Sequence, residues 1–185
     1  MSIRKLARST SFAVAGILAA SVARAQTCTN AGAASASCSV VATASATVQH
    51  VVSMNIGSTT LALSGISSIA DYNGSGVATK SDVNLHSITV RANRSWTLSV
   101  NANAATWTFT PAGGTTDPSK VAGDLGWSTT GAAPYTAMTT SAATVSTGSA
   151  TNSTVVPMSY QETYNITKDV PGAYNLGLTY TISAP

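Results

Sequence analysis

Apolar and polar residues alternate along most of this chain. Near its carboxyl end Tyr174, Leu176, Leu178, Tyr180 and Ile182 alternate with Asn175, Gly177, Thr179, Thr181 and Ser183. Period two is the pattern of a strand with one face inward and one in solvent, and Pro171-Gly172 starts it from a turn. Trp96, Leu98 and Val100 make a second such face, bounded by Asn93-Arg94 and Asn101. Trp107 and Phe109 make a third, stopped by Pro111-Ala112-Gly113-Gly114, and Val156, Met158 and Tyr160 a fourth. Ile88, Val90 and Ala92 make a fifth, while Val83 and Leu85 just before it sit in the opposite phase. That slip predicts a bulge or a strand boundary. Residues 117–150 are rich in Gly, Ser, Thr and Ala with few anchors (Leu125, Trp127, Tyr135, Met138, Val145), which predicts short strands joined by loops. The pattern adds up to about nine or ten short strands and predicts one all-β domain over residues 40–185, a single antiparallel β-sandwich, Ig-like or jelly-roll-like.

The alternation is longest at the start of that domain. Val40, Ala42, Ala44, Ala46, Val48, His50, Val52, Met54 and Ile56 share one parity, and the other carries mostly Thr, Ser, Gln and Asn. Ordinary strands run about five or six residues. One reading is a single long strand that bends and serves both sheets. The other splits it: Val40, Ala42, Ala44, Ala46 and Val48 form an arm that adds to the sheet edge of a neighbouring subunit, as in donor-strand exchange.

The amino terminus changes the reading of charge. Arg4, Lys5 and Arg8 precede a short apolar run from Phe12 to Ala20 and an Ala23-Arg24-Ala25 site. This is the layout of a cleaved signal peptide over residues 1–25, and the run is too short for a bilayer core of about 30 Å. Export to the periplasm, cell surface or exterior is expected, with no stable membrane span after processing. Four of the nine basic residues lie in this segment and none of the six acids does, so the remainder holds five basic and six acidic side chains, a net of −1. Without a basic surface, nucleic acid is not a partner. Cys28 and Cys38 are the only cysteines. In an oxidising compartment they are expected to pair and pin residues 26–39, a bond worth about 2 kcal/mol.

Candidate chemistry is sparse. Eleven charges in the processed chain leave little for paired acid–base work, and Glu162 is the only glutamate. His50 and His86 both fall in predicted strands, and no catalytic residue or cofactor is assigned. Asp71, Asn73 and Ser75 place oxygens at positions 1, 3 and 5 of a loop, with Gly76 at 6 and Asp82 at 12. Calcium loops use that spacing; the competing reading is a polar turn built on Asx hydrogen bonds. Trp127 follows Gly126 and Tyr135 follows Pro134 in loop-like sequence, so both are candidate stacking platforms for a glycan. Trp96 and Trp107 share parities with apolar residues and are expected in the core.

Two segments together suggest a family. Asn93-Arg94-Ser95-Trp96-Thr97-Leu98 contains a Trp-x-Leu, and the stretch from Gly172 through Tyr174, Leu176, Leu178, Tyr180 and Ile182 to Pro185 resembles the closing strand of WxL-type bacterial surface domains and related small secreted β-sandwich proteins. Tyr180 stands where the family's second motif has Trp, and Ile182 where it has Leu. The same ending is similar to that of fimbrial subunits, whose last strand starts at a Gly fourteen residues from the end, as Gly172 does. Both resemblances imply a non-enzymatic protein of the bacterial envelope or exterior. The expectation is a structural or adhesive protein, self-associating as a fibre or pilus-like subunit; the alternative is a module that binds cell-wall or matrix polysaccharide.

Overall fold

The computed structural model describes residues 42–185. The expected signal peptide over residues 1–25, the 26–39 segment, the expected Cys28–Cys38 pairing and Val40 lie outside the described residues. The chain divides between Thr47 and Val48. Residues 42–47 are exposed and belong to no strand or helix. The strands described below all lie within Val48–Pro185.

The described chain is all-β. Its strands are β1 (Val52–Ile56), β2 (Val77–Ala92), β3 (Trp96–Ala102), β4 (Thr108–Pro111), β5 (Leu125–Ser128), β6 (Thr136–Ala137), β7 (Ala143–Gly148), β8 (Thr151–Asn165), β9 (Gly172–Asn175) and β10 (Leu178–Ser183). Two single 3-10 turns, Ile69–Asp71 and Ala122–Asp124, are its only helical elements among the described residues. Every strand pairing is antiparallel. One sheet runs β1-β2-β8-β5-β6, a second β10-β3-β7, and β4 pairs with β9. No helix among the described residues is long and apolar enough to cross a membrane.

The alternation read from the sequence decides which side chains are inside. Ile88, Val90 and Ala92 of β2, Trp96, Leu98 and Val100 of β3, and Val156, Met158 and Tyr160 of β8 are all buried in one apolar cluster shared by the two larger sheets. Each such side chain removed from water contributes roughly 1.5–3 kcal/mol. The Trp96 ring lies against Gly148, its partner in the β3–β7 register. A Cβ on Gly148 would stand 2.6 Å from that ring, so only glycine fits. Both side chains of the Trp-x-Leu, Trp96 and Leu98, are therefore core residues. Leu125, Trp127 and Met138 anchor the short strands of the 117–150 region.

The phase slip at Val83 is a bulge. Asp82 pairs with Tyr160, and the next pair is His86 with Met158, so three residues of β2 oppose the single Ser159. Asn84 absorbs the extra length at φ 52°, a left-handed conformation that Asn tolerates, and its N–H donates to Ser159 Oγ at 2.9 Å. Because two residues are added, inward parity is restored, and His86 enters the interior directly after the bulge.

Two expectations need correction. The closing segment is not one strand: β9 pairs with β4, β10 pairs with β3, and the chain changes sheet at Leu176-Gly177. Asn103 causes the break. Its N–H donates to Gly177 O at 2.8 Å, and its side chain lies where a Cβ on Gly177 would stand. Within the described part of the long 40–56 alternation, residues 42–56, strand forms only at Val52–Ile56. Its described upstream part, 42–51, is exposed and belongs to no strand.

Candidate functional site

Two cavities meet inside the fold and share Leu63, Trp107 and Tyr174 as a common wall. The first has a volume of about 470 Å³. Its floor is aromatic. The His86 ring stacks on Tyr160 with centroids 5.7 Å apart and meets the edge of Tyr180 at 5.6 Å. Tyr160 comes from β8 in the larger sheet and Tyr180 from β10 in the smaller one, and their hydroxyls hydrogen-bond to each other across the interior. Leu61, Leu125, Leu176 and Leu178 complete the walls.

Electrostatically this cavity is free of full charge. Among the described residues that line it there is no Lys, Arg, Asp or Glu. Burial pushes the His86 imidazole below its ordinary range, so the ring is neutral at pH 7. Burial likewise raises Tyr180, to about 12, and Tyr160 further, so both remain phenols. His86 is 6 % exposed, and no group among the described residues bonds either of its ring nitrogens.

The second cavity, of about 540 Å³, has a mainly apolar lining that includes two carboxylates, Glu162 and Asp169. Beside it Lys120, fully buried, donates to Thr163 O at 2.6 Å and lies 3.3 Å from Asp169 and 3.8 Å from Glu162. Its ammonium also sits 4.6 Å above the Tyr164 ring. Asp169 in turn accepts from Asn165 N at 2.6 Å. Burial raises the Glu162 carboxyl, with Tyr164 and Lys120 pulling it back. These charges are mutually satisfied, which is how a buried ionic group survives.

The residues singled out from sequence fall elsewhere. Trp127 is not an exposed platform: it is 7 % exposed and belongs to the core. Its neighbour Gly126 marks tight strand packing, since a Cβ there would lie 2.9 Å from Tyr135 Cβ. Tyr135 is half-buried and donates its hydroxyl to Gly131 O at 3.2 Å. The calcium spacing is not realised as a loop. Asp71 is held by Lys80 at 2.6 Å and by Ser67 and Ser68 N–H groups, an arrangement that lowers its carboxyl to about 2. Asn73 Oδ1 accepts from Ser75 and Val77, and Asp82 accepts from Ser64 N and Oγ. The physical reason is that β2 starts at Val77: five strand steps of about 3.3 Å carry position 12 roughly 16 Å along the sheet instead of back over the loop. His50 is exposed and rests against Arg94.

Sequence reading missed both cavities. One signal was present: extending the Val156, Met158, Tyr160 parity by two steps puts Glu162 and Tyr164 inside. No comparable signal marks Lys120, which sits between Ser119 and Val121 in irregular chain. No protein-family model matches the chain, and no curated protein matches it.

Proposed function

We propose that the protein is a non-enzymatic, exported structural or adhesive subunit, a β-sandwich that self-associates by strand addition. The observation that carries this is the 42–51 segment. It is written with the period of a strand, free of charge and proline, yet it is exposed and belongs to no strand. Its root is fixed: Asn93 accepts from Val51 N at 2.9 Å and donates to Gln49 O at 2.7 Å. The arm thus leaves the domain from a defined point. Val48, 82 % exposed, is an apolar residue awaiting a partner surface.

The acceptor is the outer edge of β7. β1 and β10 approach each other on one side of the domain. On the other, β7 has no strand beyond it among the described residues. Its sequence, Ala143-Thr144-Val145-Ser146-Thr147-Gly148, lacks the Lys and Pro that commonly block edge pairing. Main-chain hydrogen bonds would supply affinity, and the small alternating side chains of the arm would set register. The polysaccharide reading rested on Trp127 and Tyr135, and it loses the first of these to the core.

The test is light scattering with negative-stain imaging on residues 26–185 and on a form lacking 26–48. Filaments or large oligomers that vanish on truncation are the expected result. A monodisperse monomer for both forms would refute assembly through the arm.

A further inference from the structure

We propose that the cavity around His86 binds a small, uncharged phenol or aromatic alcohol whose hydroxyl hydrogen-bonds the imidazole. This site is independent of the arm and of assembly.

The unpaired ring is the first observation. Buried polar groups are almost always hydrogen-bonded, and leaving one unmade costs roughly 1–3 kcal/mol. His86 carries two such nitrogens at 6 % exposure. The neighbouring phenols do not supply the bond: Tyr160 and Tyr180 hydrogen-bond to each other, and neither reaches a ring nitrogen of His86. The imidazole also cannot be bonded from its own sheet neighbour, since its cross-strand partner is Met158. A molecule entering the cavity with one polar group would therefore satisfy a group the fold leaves open.

The chemistry of the walls selects the occupant. A neutral imidazole offers one N–H donor and one bare acceptor. A hydroxyl can serve either one, so it suits both tautomers. A carboxylate or ammonium would leave water with no counter-charge to meet it, because the described lining holds none. The body of the ligand faces Tyr160, Tyr174, Tyr180 and Trp107 together with leucines. Such a wall favours a flat apolar ring, which stacks or meets edges at the centroid distances already seen between His86 and the tyrosines. The volume, about 470 Å³, lies within the range of sites for small organic molecules. Ser58, Thr59 and Thr60 line the same cavity and are exposed, which gives it a mouth on the surface.

Three probes of one shape decide the matter: 2-naphthol, naphthalene and 2-naphthoate, each titrated into the full chain by calorimetry. Saturable 1:1 binding of 2-naphthol is expected, with naphthalene about tenfold weaker and 2-naphthoate not bound, tenfold being one hydrogen bond's worth of affinity. His86→Phe keeps the ring stack and should weaken 2-naphthol about tenfold while leaving naphthalene unchanged. In the unsubstituted chain, 2-naphthol should shift the NMR signals of the His86 ring and leave those of His50 in place; that readout holds even where His86→Phe does not fold. A site that holds only water gives no saturation with any probe, and that result overturns the proposal. So does equal affinity for naphthalene and 2-naphthol, tighter binding of 2-naphthoate, or ring shifts confined to His50.

Discussion

The two cavities that share Leu63, Trp107 and Tyr174 differ in how they treat buried polarity. Around Lys120, three kinds of partner close on one ammonium: a carbonyl, the three carboxylates of Asp124, Glu162 and Asp169, and an aromatic face. Around His86, a ring with two polar atoms has aromatic contacts and, among the described residues, no hydrogen bond. Both groups are buried in the same domain. The difference shows that this fold can satisfy a buried polar group completely when structure requires it. An unsatisfied one in the adjoining cavity is then a property of that place, and the open space beside it is the reason to connect it with binding.

The largest test of the contrast falls on the satisfied side. Replacing one member of a buried ion pair leaves the others charged and unpaired, at a cost of about 3–5 kcal/mol. Lys120→Met should therefore lower the free energy of unfolding by about that amount, measured by urea denaturation. Glu162→Gln added to it should recover part of the loss, because the second substitution removes one of the stranded charges. A Lys120→Met variant as stable as the parent would mean that the cluster is held by packing alone.

A smaller effect is expected where the floor of the first cavity is tied across the sheets. Tyr160 is fully buried, and Tyr180 is its hydroxyl's partner. Tyr180→Phe keeps the ring and orphans the Tyr160 hydroxyl, which costs about 1–2 kcal/mol. The same urea titration checks this, and because the two sites share no partner their costs should nearly add in the double variant with Lys120→Met. Strong non-additivity would show that the cavities are one coupled unit and erase the contrast between them.

How much of this was legible from sequence depends on range. Local parity was enough to place Ile88, Val90, Leu98, Val156, Met158 and Tyr160 inside, and the phase slip at Val83 announced the bulge that delivers His86. Period two is a property of neighbouring residues, so it survives without knowledge of partners. The meeting of His86, Tyr160 and Tyr180 is different in kind. Tyr180 comes from the other sheet, paired through β3, and nothing in its own segment says which residue it faces. Lys120 was invisible because irregular chain has no parity to read. Trp127 was misread because glycine beside an aromatic signals a loop as often as a crowded strand, and Gly126 is the second case. The end of the chain reads as one strand for the same reason of range: the Asn103 contact that breaks it at Gly177 lies more than seventy residues upstream.

The smallest expected effect is also the most specific to the unsatisfied side. Burial holds the His86 imidazole below its ordinary pKa, so in the folded chain it resists the proton that the unfolded chain accepts near pH 6.5. At pH 7 both states are neutral at this position. As pH falls through 6.5 the unfolded state binds more protons, and stability drops until the folded pKa is reached. Glu162 works in the opposite direction: its raised carboxyl takes a proton in the folded state first, so stability gains as pH falls toward the ordinary carboxylate range. Comparing the parent with His86→Phe removes the Glu162 contribution, which is common to both. At pH 7 His86→Phe should be neutral or stabilising by up to about 1 kcal/mol, since an apolar ring replaces a polar one that has no protein partner. Between pH 7 and pH 5 its advantage over the parent should widen steadily. Saturating 2-naphthol should narrow the gap at pH 7, because it binds the parent more tightly than the variant. A difference that stays flat with pH would mean that the imidazole is hydrated and titrates as it does in the unfolded chain, and the two cavities would then treat polarity alike.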